Sequence, residues 1–199
     1  MSETRTRLLT KAREVFAREG YHGASIRTIT REAGVNLGAV TYHFGSKQAL
    51  YHAVLEEILT PLSARVSAVC EDSGSARARI REVLRAVFEH LWSNPDQARF
   101  MVELRLGHVE LTDEIMELMM PVSQALVGLI QEGQREGVVR EGAPLLFVLS
   151  MMAQPVYFML VTRNTDPALL PADPTTDGGR AIYLEHMIEV FLRGVSLPI

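Results

Sequence analysis

The sequence predicts an all-α fold of about nine helices, and three observations lead to this prediction. Apolar residues recur every three to four positions along most of the chain, a spacing that places them on one face of a helix. No segment keeps the alternation of apolar and polar residues that a half-buried strand requires. No internal repeat of roughly 20 to 50 residues appears. We therefore expect a three-helix N-terminal part followed by a C-terminal helical bundle.

The first helix is predicted over residues 4–19, where one face is apolar and the others are largely basic. The apolar face consists of Leu8, Leu9, Ala12, Val15 and Phe16. Gly20 is expected to end this helix, because glycine adopts the left-handed backbone of a helix C-terminus without a steric penalty. Arg5 and Arg7 lie near the start of this helix. They either contact phosphate or lie on a solvated face, and the sequence leaves both roles open.

Two short helices separated by a glycine turn follow the first helix. Ser25 is positioned to cap the first of them, and Gly34 is expected to end it. Asn36 is positioned to cap the second, which is predicted over residues 37–44. The outward-facing positions of this second helix are Leu37, Gly38, Thr41 and Tyr42. Two short helices at this spacing indicate a helix-turn-helix motif, whose second helix enters the DNA major groove.

The run from Val35 to Leu55, VNLGAVTYHFGSKQALYHAVL, resembles the DNA-binding signature of the tetracycline-repressor (TetR) family. The matching features are an Ala-Gly-Val turn, a helix with the pattern Gly-x-x-x-Tyr-His-Phe, and Gly-Ser-Lys before a long helix. The resemblance covers roughly residues 5–55. One departure is Thr41, because many members of the family have an aromatic residue at this position, where it contacts a phosphate.

The resemblance implies a helix-turn-helix DNA-binding domain over residues 1–52 and a ligand-binding and dimerisation domain over residues 53–199. The DNA contacts are expected from Arg27, Thr28, Asn36, Leu37, Gly38, Ala39, Thr41, Tyr42, His43 and Lys47. Lys47 opens a long helix, so its charge and the free backbone amides beside it favour a phosphate. The resemblance also implies that His43 packs within the motif and contacts phosphate.

The charge distribution agrees with a nucleic-acid-binding N-terminal part. The whole chain has a net charge of −4. Residues 1–52 contain eight Lys or Arg against four Asp or Glu, a balance of +4, whereas the remainder has a balance of −8. Positive charge is therefore concentrated where phosphate contact is expected, and the rest of the chain repels DNA.

Six further helices are predicted after the motif from apolar spacing, caps and proline or glycine breaks. They span residues 47–71, 76–93, 96–107, 112–136, 144–162 and 179–195. Pro61 and Pro121 are expected to bend the helices that contain them. The polar segment 72–75 is a candidate linker, and residues 164–177, with three prolines, are predicted to form a long loop. Arg77, Arg81 and Arg85 form a stripe that we interpret as a solvated face, partnered by acidic neighbours such as Glu82 and Glu89.

The last two helices are more apolar than one core face requires. We expect them to form a homodimer interface of four helices, and the alternative is a wholly internal core. A two-fold dimer suits a palindromic operator in double-stranded DNA. The apolar segment 143–161 approaches the length of a membrane span, but prolines and polar residues interrupt it, so we expect no membrane contact.

The C-terminal part contains aromatic and thioether side chains, with a few polar groups among them, that suit a cavity for an apolar or aromatic small-molecule effector. The candidate ligand-binding residues are Trp92, Phe100, Glu103, His108, Met120, Met152, Gln154 and Tyr157. For each of them the alternative is a plain core position.

The sequence therefore predicts a cytoplasmic, dimeric transcription regulator, acting as a repressor that a small-molecule effector releases from DNA. The single cysteine, Cys70, excludes an intramolecular disulfide and suits a reducing compartment. No catalytic constellation, metal-ligand spacing or cofactor motif is predicted, so we expect no enzyme activity. Two alternatives stay open: a helical ligand carrier or enzyme with a vestigial DNA motif, and a bundle that only dimerises and docks partners.

Overall fold

The computed structural model describes residues 2–105, Gly107 and residues 112–195, and within these ranges the chain forms nine α-helices and no strand. The helices are α1 (Glu3–Gly23), α2 (Ile26–Ala33), α3 (Gly38–Phe44), α4 (Lys47–Glu71), α5 (Ala76–Ser93), α6 (Pro95–Arg105), α7 (Asp113–Arg135), α8 (Pro144–Asn164) and α9 (Asp177–Val195). The loop between α8 and α9 contains one 3₁₀ turn, Pro167–Leu169. The predicted all-α fold is confirmed.

The turn of the helix-turn-helix motif forms largely as its residues predict. The Ser25 hydroxyl accepts a hydrogen bond from the Thr28 amide at 3.0 Å, which caps α2. Gly34 has φ 64° and ψ 39°, the left-handed backbone expected at a helix end. The prediction for Asn36 was wrong: α3 starts after Leu37, and no side chain caps it.

The described chain divides into two compact units that are not contiguous in sequence. The first unit comprises Met1–Pro61 and Asp96–Leu118, and the second comprises Leu62–Pro95 and Met119–Ile199. Helices α4 and α7 each contribute to both units. The functional division of the chain at residue 52 stays a prediction.

A cluster of aromatic rings forms the core of the first unit. The Tyr51 ring lies edge-on to Phe16 and Tyr21, with ring centroids 4.9 and 5.1 Å away, and 5.5 Å from the Phe100 centroid. Burial raises the pKa of the Tyr51 hydroxyl, and the nearby Glu103 carboxylate adds to this rise. Through these ring contacts α1, α4 and α6 of this unit pack against one another.

Gly20 interrupts α1 with φ 73° and ψ 172°, a backbone conformation that is almost restricted to glycine. The chain then continues in helical form to Gly23, so α1 is longer than predicted. A Cβ atom at Gly20 would lie 3.0 Å from the Glu103 Oε1 atom and 3.2 Å from the Arg99 Nη2 atom. Backbone conformation and close packing therefore both require glycine here.

Replacing Gly20 with alanine is expected to destabilise the protein by about 1–3 kcal/mol, because the left-handed backbone becomes strained. Urea unfolding followed by circular dichroism measures this change. Gly23→Ala is the matched control, since a Cβ there meets only the Cβ atom of Glu19, at an ordinary contact distance of 3.6 Å. The control should equal or slightly exceed the parent in stability. Equal unfolding free energies for parent and Gly20→Ala would contradict the expectation.

In the second unit, α5 packs against α8 and α9, and a buried arginine joins α4, α5 and α7. Arg79 Nε donates to the Gly74 carbonyl and Nη1 donates to the Cys70 carbonyl, both at 2.8 Å. Its Nη2 atom pairs with the Glu132 carboxylate. The turn between α4 and α5 is thus held by one side chain, because the guanidinium supplies donors in three directions.

Helix α8 is long and apolar enough, by length and composition, to cross a bilayer. Within the chain, 33% of the segment Pro144–Thr162 is buried, so the larger part of it is not. Its exposed side chains include Leu145, Leu146, Leu149 and Tyr157. Helix α9 adds Ile182 and Val190 to the exposed apolar residues of this unit. The alternative of a wholly internal core does not account for this exposed surface.

Candidate functional site

Helix α3 presents a prominent exposed face at the surface of the first unit. Tyr42 is 85% exposed and Leu37 is 59% exposed, while Gly38 and Thr41 are also exposed. Val40 is fully buried and anchors the opposite side of the helix. We call Leu37, Gly38, Thr41 and Tyr42 the α3 face. Gly38 has no side chain, so the backbone of this side of the helix can approach another surface closely.

Ala39 departs from the sequence interpretation. The sequence predicts it as a DNA contact, but only 8% of it is exposed. Its methyl group is buried within the first unit. The structure therefore places Ala39 in the core rather than on the α3 face. His43 is half-buried, with its ring edge-on to Tyr42 and the two centroids 4.8 Å apart.

The two N-terminal arginines are held by other groups of the first unit. Arg7 Nη2 donates to the backbone carbonyls of Ala33 and Gly34, so it caps the C-terminus of α2. The Arg5 guanidinium lies over the Phe44 ring, 5.1 Å from its centroid. Both side chains join α1 to the motif, which is a third role beside the two that the sequence left open.

Two other cations of the motif stay exposed. Arg27 and Arg31 lie four residues apart on α2 and therefore on one side of that helix. Within the described part of the chain, neither makes an ion pair. Arg27 is among the predicted DNA contacts, whereas the sequence analysis did not include Arg31. The four-residue spacing from Arg27 is the signal that places Arg31 beside it.

Lys47 lies at the first position of α4, above an aromatic ring. Its Nζ atom is 4.6 Å from the centroid of Tyr21, and partial burial lowers the pKa of its amine. Beside it, Ser46 accepts a hydrogen bond from the Ala49 amide at 3.0 Å and caps the helix. The ring of Tyr21 restricts the position of the ammonium group at the N-terminus of α4. Sequence reasoning missed this contact, because the two residues are far apart in the chain.

The described members of the predicted ligand-binding set are divided between the two units. Phe100 is fully buried in the aromatic core of the first unit, and its ligand contact stays a prediction. Glu103, also in the first unit, pairs with Arg99 at 3.7 Å. In the second unit, Met120 and Tyr157 are exposed, and Met152 is half-buried. His108 lies outside the described residues.

Gln154 and Trp92 keep features that suit a binding role. The Gln154 Oε1 atom is buried and accepts no hydrogen bond within the described part of the chain. A buried acceptor of this kind is satisfied when a ligand or water donates to it. Trp92 lines an open groove of about 600 Å³ on the second unit. The Trp92 ring stacks on the buried Phe88 ring, with centroids 5.1 Å apart.

Two protein families match this chain. Residues 8–54 match the family described as "Bacterial regulatory proteins, tetR family". Residues 77–191 match the family described as "Tetracyclin repressor-like, C-terminal domain". Together these matches cover the helix-turn-helix motif and most of the second unit.

Individual proteins agree with the family matches. The HTH-type transcriptional repressor NicS of Pseudomonas putida is 25% identical over 195 residues, which cover 96% of this chain and 92% of NicS. A crystal structure of a tetR-family regulatory protein from Rhodococcus RHA1 has a TM-score of 0.77, with 22% identity and full coverage of both chains. The regulator FadR of Bacillus subtilis, solved with stearoyl-CoA, has a TM-score of 0.71, with 19% identity, 96% coverage of this chain and 98% of FadR. The two structural matches show a common fold.

Proposed function

The chain belongs to the TetR family of bacterial regulatory proteins, and from this premise we propose that it represses transcription by binding a palindromic operator as a homodimer. A small molecule bound in the C-terminal part releases it from DNA. Its site of action is then the cytoplasm, where the operator lies. The observation that supports this proposal best is the α3 face, which stands exposed beside the basic residues of α2 and α4.

The α3 face has the form required for the major groove. Tyr42 and Leu37 protrude from it, and Gly38 between them allows the helix to approach base edges closely. Arg27 and Arg31 on α2 and Lys47 on α4 supply cations that hold phosphates and fix the register of the helix. Base contacts from Leu37 and Gly38 would set sequence preference, while the cations set affinity for all sequences.

Lys47→Ala is expected to weaken operator binding by roughly a hundredfold, because the dimer loses two charge-assisted phosphate contacts, one from each protomer, at about 1.5 kcal/mol each. The slope of log K against log salt should fall by about one for each lost contact. Tyr42→Phe should weaken binding less, since it removes only a hydroxyl. Mobility-shift assays at several salt concentrations, on genomic fragments that the protein retains, measure both effects.

Arg135→Ala is the matched control for this experiment. Arg135 is an exposed cation on α7 of the second unit, so its loss changes the net charge equally without touching the motif. The control should bind DNA as the parent does. Parent-like affinity and salt slope for Lys47→Ala would remove Lys47 from the proposed interface. Absence of any salt-sensitive DNA affinity in the parent would favour the ligand-carrier alternative.

We assign the dimer interface to the exposed apolar residues of α8 and α9. The exposed apolar positions Leu145, Leu146, Leu149, Tyr157, Ile182 and Val190 lie on these two helices of one unit. A second copy of the chain covers this surface with the same residues, as a two-fold interface requires. Two DNA-binding heads related by a two-fold axis then match the two half-sites of a palindrome.

The effector is proposed to bind the second unit and to oppose DNA binding through linkage, so that each ligand lowers the affinity for the other. FadR of Bacillus subtilis, solved with stearoyl-CoA, is a regulator of this fold that holds a small molecule. For the present chain, the unsatisfied Gln154 Oε1 atom and the groove beside Trp92 are the features that support a ligand in this unit.

A further inference from the structure

The groove beside Trp92 combines an aromatic wall with guanidinium groups from three helices. Its lining includes Arg65 of α4, Arg85 of α5 and Arg180 of α9, and the acidic residues of the lining are Glu89 and Asp177. Each guanidinium is already paired with a carboxylate, so the groove offers hydrogen-bond donors and not an excess of positive charge. Its volume of about 600 Å³ lies within the range of small-molecule sites.

In the structure, each of these arginines pairs with a carboxylate on the surface. Arg65 lies 2.9 Å from Glu89, and Arg85 lies 3.2 Å from the Glu185 carboxylate and 3.4 Å from the Glu82 carboxylate. Arg180 pairs with Asp177, which is 93% exposed. Pairs exposed to this degree contribute little to stability, so a bound anion can replace or share these partners at low energetic cost.

The wall of the groove favours a planar ring. Trp92 is half-buried, and Phe88 supports its indole from below through a nearly parallel stack. Part of the indole therefore borders the groove, held in one orientation by a buried neighbour. A flat aromatic ligand stacks on such a surface, and its ring also covers Ala181 and Leu184 of the lining.

From this arrangement we propose that the groove binds planar aromatic carboxylates, with the ring against Trp92 and the carboxylate held by Arg85 and Arg180. A guanidinium binds a carboxylate through two parallel hydrogen bonds, which fixes the orientation as well as the affinity. The identification of this ligand with the effector rests on the proposed function. The aromatic ring agrees with the apolar or aromatic effector expected from the sequence, and the carboxylate is an addition that the arginines of the lining suggest.

The chain contains a single tryptophan, and that residue lines the groove. Trp92 emission therefore reports occupancy directly, without DNA. We expect saturable quenching of this emission by benzoate, the smallest member of the class. Benzamide, which has the same ring and no charge, should bind at least tenfold more weakly. Because no DNA is present, failure here is separate from failure of the proposed regulator function.

Arg180→Gln and Arg85→Gln should each weaken benzoate binding at least tenfold. Two variants are used because the arginines belong to different helices, so one substitution can fail to fold while the other folds. Circular dichroism and a thermal midpoint equal to those of the parent identify the variants that fold. Arg77→Gln is the control, since it lies on α5 with Arg85 but borders a different groove. The proposal is overturned by unsaturable quenching, by equal binding of benzoate and benzamide, or by parent-like affinity in the folded arginine variants.

Discussion

Leu146→Glu is expected to turn the dimer into monomers and to remove operator binding at concentrations where the parent binds. Leu146 is 64% exposed on α8, within the proposed interface. Burial of a leucine side chain contributes about 1.5–3 kcal/mol, and a two-fold interface loses this contribution twice. The dimer dissociation constant should rise by roughly a hundredfold or more. Repulsion between the two introduced carboxylates adds to the effect.

Sedimentation equilibrium over a range of protein concentrations measures this change, and mobility-shift assays measure its consequence for DNA. Gln131→Glu is the control, because it introduces the same charge at an exposed position of α7. It should leave both association and DNA binding intact. A Leu146→Glu protein that stays dimeric at the parent's concentrations would place the interface elsewhere. A monomeric variant with undiminished operator affinity would contradict the need for two linked heads.

Arg79→Ala should cost about 3 kcal/mol of folding free energy, at the low end of the range for breaking a buried ion pair. The variant leaves the Cys70 and Gly74 carbonyls without their present donor and removes the partner of Glu132. Glu132 retains some solvent contact, which moderates the loss. Arg79→Lys should fall between the parent and the alanine variant, because a single ammonium cannot reach all three acceptors.

Urea unfolding followed by circular dichroism and by Trp92 emission tests this expectation, since Trp92 belongs to the same unit as Arg79. Arg81→Ala serves as the control, because its pair with Glu185 is exposed and should contribute less than about 1 kcal/mol. A double variant with Glu132→Ala measures the coupling of the pair. If Arg79→Ala were no less stable than Arg81→Ala, Arg79 would not hold this turn.

Cys70 lies beside this turn and is a poor nucleophile. Burial raises its thiol pKa to about 11, and the Arg79 guanidinium opposes this rise only in part. The thiol therefore stays protonated at neutral pH.

The local features of the chain were predictable. Helices α4 and α5 begin and end at the predicted residues, and Gly34 adopts the predicted left-handed turn. Caps, breaks and apolar spacing act between neighbours within about one turn, so a short stretch of sequence contains the whole cause. The same locality explains most of the α3 face, since burial of the side that carries Val40 leaves Thr41 and Tyr42 outside, whereas the burial of Ala39 was not predicted.

The helices, the helix-turn-helix motif, the segregation of positive charge and the apolar surplus near the C-terminal end all followed from the residues alone. The partner of each side chain became known only from the folded chain: Arg7 lies on the end of α2, Lys47 lies over Tyr21, and Phe100 packs near Tyr51. These contacts join residues that are tens of positions apart in the chain. The partners depend on how the helices pack in space, and the spacing of residues along the chain does not show this.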